Sequence, residues 1–259
     1  MFSRNQKIFK GEIENYLKNG HNFFDSKIDR AFQTLKIKTC LCRANINKKD
    51  GYHASHLLFM LIMLPLLKIQ TVHTFCNKQW HQWSHVKKDT YYRFKKNITY
   101  RWRSFLNYVN QEIFKNIKLS QIPQEELAFV IDDTILEKVG KKLENLSYIY
   151  DHNVGHSVLG YCIVTLGLFT GNAFYPIDFS YYFTQKRDKQ KSPERIGDPR
   201  SSSGLRSYEA KHYTKLELAL HMIERALNTG IIPGYVLFDS WYAWPVVIKK
   251  LGVKSSIDF

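Results

Sequence analysis

The chain has 259 residues, 44% hydrophobic and 15% aromatic, enough apolar material for a sizeable core in one large domain or two small ones. Its net charge of +15 is confined to the first half: residues 1–120 carry 22 Lys and Arg against 7 acids, while residues 121–259 are balanced. Four cysteines in so long a chain, a polar and basic start, and no apolar run near the roughly twenty residues of a bilayer span argue against a disulfide-framed domain, a signal peptide and a membrane protein.

Residues 1 to about 120 read as helical. The run from Leu57 to Leu67 is apolar almost all round, with Ser55 as a candidate N-cap, and is expected to be a core helix. His73, Cys76, His81 and His85 have metal-ligating side chains, but their spacing is looser than paired zinc ligands show. Lys87 to Lys96 reads as a short helix capped by Asp89 or Thr90 and ended by Asn97. A second periodic stretch, Trp102 to Ile117, carries Phe105, Leu106, Val109 and Ile113 on one face. Together the two resemble a helix-turn-helix.

The same segment interleaves Lys87, Lys88, Arg93, Lys95, Lys96, Arg101 and Arg103 with Tyr91, Tyr92, Phe94, Tyr100 and Trp102. Cations on phosphates suit duplex DNA, and the rings are expected to form the core of the module rather than the contact surface. A basic half joined to a neutral half fits a protein that grips a polyanion with one part and works on it with the other.

Gln121 to Gln124 is the expected domain boundary. Beyond it, Leu127 to Leu136 is strand-like, Leu143 to Asn153 a polar connection, and Val158 to Phe169 and Ala173 to Phe183 a hairpin turning at Gly171-Asn172. Gln185 to Lys211 reads as a long polar loop; it contains Glu209-Ala-Lys211, whose Glu-x-Lys pattern belongs on a strand in nucleases that use it. Tyr213 to Asn228 is a helix, Tyr235 to Asp239 a strand, Trp241 to Leu251 a helix and Val253 to Phe259 the start of a strand. The order β-β-β-α-β-α-β is that of a ribonuclease H-like mixed sheet, in which the first and fourth strands lie side by side.

Both of those strands end in aspartate: Asp132-Asp133 after the first and Asp239 after the fourth. A strand-terminal Asp often merely caps a turn. Two that converge can instead hold divalent magnesium or manganese, because hard cations prefer carboxylate oxygen. Alternation sends Asp132 and Asp133 to opposite faces, so one alone faces the metal. Asp133 with Asp239 is the expected catalytic and metal-binding pair, with Asp132 as the alternative to Asp133.

Ile131-Asp-Asp-Thr134, Tyr148-Ile-Tyr-Asp-His152, Gly160-Tyr161 with Thr165-Leu-Gly167, Pro176-Ile-Asp-Phe179 and Phe238-Asp-Ser-Trp-Tyr242 together resemble bacterial insertion-sequence transposases of the DDE type, most closely the insertion-sequence-4-like family. The resemblance implies a DNA transposase of a mobile element, working by cut-and-paste recombination. Such an enzyme cuts transposon ends with water and joins the freed 3′ hydroxyl to target DNA, using magnesium held by Asp, Asp and Glu. It implies double-stranded DNA as partner, a homodimer in the synaptic complex, no membrane, and a cytoplasmic, nucleoid-associated location. On this reading residues 1–120 are a basic helical DNA-binding region and residues 125–259 the catalytic core. The only acid after Asp239 is Asp258, so the core is expected to be truncated before its third acid, inactive as a fragment and poorly soluble. The alternative is a non-catalytic DNA-binding protein derived from a transposase.

Overall fold

The computed structural model describes residues 27–77, 86–139, 143, 145–152, 154–183, 198, 200–239 and 242. The chain divides into two compact units between Ile113 and Phe114, inside a helix.

The first unit is helical: α1 (Lys27–Thr34), α2 (Ile37–Arg43), α3 (Ala54–Leu66), α4 (Val72–Asn77), α5 (Lys88–Lys95) and most of α6 (Trp102–Asn116). Helix α3 is apolar around most of its circumference and buries Leu57, Phe59, Met60 and Met63 against Leu41, Phe75 and Tyr91, while Ile62 and Leu66 stay exposed. Its cap is not Ser55. The helix starts one residue earlier, and His53 Nδ1 accepts from the Ser55 N–H at 3.2 Å. Helix α5 likewise begins before its expected caps: Lys87 is the N-cap, without a side-chain bond. Asp89 falls inside the first turn, where its charge suits the helix dipole. Asn97 lies just past the C-cap and closes a turn by accepting from the Thr99 N–H at 3.0 Å. No helix among the described residues is long and apolar enough to cross a membrane.

The second unit carries a five-stranded mixed sheet of β1 (Ala128–Glu137), β2 (Ser147–Asp151), β3 (His156–Phe169), β4 (Phe174–Tyr182) and β5 (Tyr235–Phe238). Strand β3 pairs antiparallel with β1, β2 and β4, and β1 pairs parallel with β5. First and last strands are therefore neighbours, as in a ribonuclease H-like sheet. Between β4 and β5 come α7 (Ser202–His212) and α8 (Lys215–Asn228). Helix α8 covers one face, where Ala219, Met222, Ile223 and Ala226 pack on Phe129, Ile131, Val164, Leu166 and Leu168.

Local chemistry explains these elements. Gly171 takes φ 78°, as a two-residue hairpin turn between β3 and β4 requires. Gly234 brings β5 onto β1: its N–H donates to the carbonyls of Gln124 and Leu127 at 2.9 Å, and a Cβ there would meet the Gln124 carbonyl oxygen at 2.7 Å. The polar connection expected at 143–153 contains β2, and the polar loop expected at 185–211 contains α7. Helix α7 starts where Ser201 Oγ accepts from the Gly204 N–H at 3.0 Å. The helix expected from Trp241 to Leu251, apart from Tyr242, and the strand expected from Val253 lie outside the described residues, as do residues 185–197 of the loop.

Candidate active site

The site is built where β1 and β5 end. In β1 the alternation of Phe129, Ile131 and Asp133 lines one face of the strand, so the pattern that buries Phe129 and Ile131 under α8 carries Asp133 toward the same helix. Helix α8 starts at a fixed point. Thr214 Oγ1 accepts from the Glu217 N–H at 3.2 Å, and Glu217 Oε2 accepts from the Thr214 N–H at 2.8 Å, a capping box that sets Lys215 as the first helical residue. A lysine there opposes the helix dipole, and its ion pair with Asp133 offsets that cost. Lys215 Nζ lies 2.8 Å from Asp133 Oδ2, with both side chains largely buried.

Two more donors converge on the same carboxylate. The Tyr242 hydroxyl donates to Asp133 Oδ1 at 3.0 Å, and Cys162 Sγ lies 3.5 Å from Oδ2. Burial opposes ionisation of Asp133, but Lys215, Tyr242 and Cys162 outweigh it and hold the carboxyl below its ordinary range. Burial likewise pulls the Lys215 ammonium down, yet its bond to Asp133 and the field of the surrounding groups leave it above its ordinary value. Burial and the neighbouring Asp133 charge push the Cys162 thiol up to about 12 and raise the Tyr242 phenol as well. The result is an ionised Asp–Lys pair surrounded by neutral donors.

Asp132 behaves differently. It is exposed, lies on the strand face opposite Asp133, and accepts the Asp133 N–H on its own Oδ1 at 2.8 Å. Strand β5 pairs with β1 through Ala128↔Tyr235, Phe129↔Val236, Val130↔Leu237 and Ile131↔Phe238. One step further along that register are Asp132 and Asp239. Asp239 is exposed, and its carbonyl accepts the Tyr242 N–H at 2.8 Å. Of the two β1 aspartates, Asp133 is thus engaged under α8, while Asp132, like Asp239, directly follows the last paired position Ile131↔Phe238.

A family profile described as DDE superfamily endonuclease matches residues 79–251, well over half of the chain. The chain belongs to that family. No curated protein and no solved structure matches it. A DDE superfamily endonuclease acts on DNA, and such nucleases typically use divalent metal ions. The exposed carboxylates of Asp132 and Asp239 offer the hard oxygen donors that such an ion prefers. Among the described residues no group of three or more His, Cys, Asp or Glu gathers as a metal site.

The other candidates separate cleanly. Lys87, Lys88, Arg93, Lys95, Lys96 and Arg101 are exposed, and Arg103 is half-buried. Their aromatic neighbours are core: Tyr91, Phe94 and Tyr100 are buried, and Phe94, Tyr100 and Trp102 pack edge-to-face at 5.5–6.1 Å. His73 bonds Asn77 within α4 at 2.9 Å and Cys76 lies 3.8 Å from the Val86 carbonyl, while His81 and His85 lie outside the described residues. Glu209 and Lys211 sit on α7, a helix rather than a loop. Asp178, part of a motif that carried the resemblance, is buried and pairs with Arg225 of α8 at 2.7 Å. Sequence reasoning missed Lys215, Cys162 and Tyr242. The helix was expected to start at Tyr213 rather than at Lys215, and nothing local to Lys215 announced a partner 82 positions away.

Proposed function

We propose that this chain is the catalytic core and DNA-gripping region of an insertion-sequence-4-like transposase, with Asp132 and Asp239 as its metal-binding pair. The observation that carries the reading is the parallel register of β1 and β5, whose last pair, Ile131↔Phe238, lies one residue before each of the two acids. Alternation puts Asp132 on the face of Val130, away from α8, and Asp239 follows the end of the neighbouring strand. Asp133, committed to Lys215, serves on this reading as the anchor beside Asp132 rather than as a ligand.

The fitting ion is magnesium, with manganese as a substitute, since two carboxylates supply hard anionic oxygen. When bound, it would supply Lewis-acid stabilisation of a phosphate under attack. The chain's own residues hold and orient: Asp132 and Asp239 fix the cation's seat, and the buried Asp133–Lys215 pair keeps the end of β1 rigid. The exposed cations of α5 and the segment after it bind duplex DNA through its phosphates. Residues 1–120 are on this reading the DNA-binding region and residues 125–259 the catalytic one. The assembled species is a homodimer on paired transposon ends, in the bacterial nucleoid.

Titration calorimetry with Mn²⁺ tests the pair. The parent chain is expected to bind, and Asp132→Asn and Asp239→Asn each to lose binding. Parental affinity in both variants contradicts the proposal. Loss of Mn²⁺ binding in Asp133→Asn together with parental binding in Asp132→Asn contradicts the assignment of Asp133 as the anchor.

A further inference from the structure

We infer that Tyr242 is a positioning residue that couples the two acid-bearing strand ends, a role that rests on the metal reading of Asp132 and Asp239. The ladder between β1 and β5 ends at Ile131↔Phe238, one residue before either acid. Beyond it, Asp132 continues β1 and Asp239 follows the end of β5.

Tyr242 spans that gap. Its backbone N–H donates to the Asp239 carbonyl at 2.8 Å, closing a turn, and its hydroxyl donates to Asp133 Oδ1 at 3.0 Å. One residue therefore ties the main chain of Asp239 to the immediate neighbour of Asp132. The tie is stiff at both ends. The Tyr242 ring is 1% exposed and belongs to the apolar cluster of Ile131, Val164 and Val236, so its hydroxyl cannot swing to solvent without leaving the core. The Asp133 carboxylate it reaches is held by Lys215 and Cys162. Removing the hydroxyl alone leaves the Asp133–Lys215 pair and the buried ring intact, yet takes away the hydrogen bond from Tyr242 to Asp133 of β1.

The test uses the full chain, Mn²⁺ as probe, and electron paramagnetic resonance of free Mn²⁺ at a temperature where all variants are folded. Tyr242→Phe is expected to bind Mn²⁺ about tenfold more weakly than the parent, as losses in the support behind metal ligands typically do. Met222→Ala, a cavity in the same cluster, is the control: its unfolding midpoint falls at least as far, and its Mn²⁺ affinity stays parental. Unchanged affinity in Tyr242→Phe, or equal weakening in Met222→Ala, overturns the positioning role. Asp132→Asn and Asp239→Asn binding like the parent overturns the metal reading instead, so the two failures are told apart.

Discussion

Lys215 Nζ and Asp133 Oδ2 lie 2.8 Å apart, joining the first residue of α8 to the end of β1 across 82 positions of sequence. Their side chains are 16% and 23% exposed, so the pair is screened less than a surface bridge. Breaking a fully buried pair costs about 3–5 kcal/mol because one charge is left without its partner. Residual exposure lowers that figure here. Lys215→Met is expected to cost about 2–3 kcal/mol, measured by urea denaturation, and parental stability would contradict the anchoring role of the pair.

The same pair predicts a pH window. The Asp133 carboxyl is depressed below its ordinary 3.8, so its contribution is present above that value and is lost as pH falls through the depressed one. The Lys215 ammonium is raised above its ordinary 10.5, so its contribution is present below that value and is lost as pH rises through the raised one. The groups facing the pair are Cys162 on β3, Tyr182 on β4 and Tyr242 after β5. The stability gap between the parent and Lys215→Met is expected to be flat between those limits and to close at strongly acid pH. A gap that persists unchanged to pH 2, followed by circular dichroism, would contradict it.

Cysteine reactivity offers an independent check. Cys42 is exposed, whereas Cys162 is fully buried with its thiol pushed up to about 12. The thiolate is the reactive form, so at pH 8 iodoacetamide is expected to modify Cys42 rapidly and to leave Cys162 untouched in the native chain. Denaturation is expected to remove the difference. Rapid native alkylation of Cys162, read by mass spectrometry of its peptide, would contradict the buried cluster around Asp133.

The cations of the first unit make a salt-dependence prediction. Each phosphate contact contributes about 0.9 to the slope of log affinity against log salt for duplex DNA. Lys95→Ala and Lys96→Ala, both exposed at the end of α5, are each expected to reduce the slope by about 1 without sequence preference. Fluorescence anisotropy with unrelated duplexes checks this, and slopes equal to the parent's would remove these residues from the DNA surface.

Much of the core was legible because its signal is local. The alternation of β1, the β-branched run of β3 and the glycine turn before β4 each follow from a few adjacent residues. The acids at the ends of β1 and β5 were visible for the same reason. Helix α7 was not, since only Gly204 and Ala210 are buried along it and its polar composition imitates a loop; the Ser201 cap was its one local sign. Which β1 aspartate faces which way was also hidden. Alternation separates Asp132 from Asp133, but the side that α8 covers is settled by packing between Met222, Ile223 and the sheet, a relationship no local pattern states. Lys215, Cys162 and Tyr242 meet Asp133 from three other elements, and only the folded sheet brings them together.

The central claim is that Asp132 and Asp239, distant in sequence, share one cation. Fe²⁺ with ascorbate and peroxide, replacing Mg²⁺ in the full chain, cuts the backbone beside a bound ion, and mass spectrometry reads the cuts. The account predicts paired cleavage next to 131–134 and 238–240, lost together in either Asp132→Asn or Asp239→Asn and suppressed by excess Mg²⁺. Cleavage at only one of the two segments, or cuts that survive both substitutions, would contradict it.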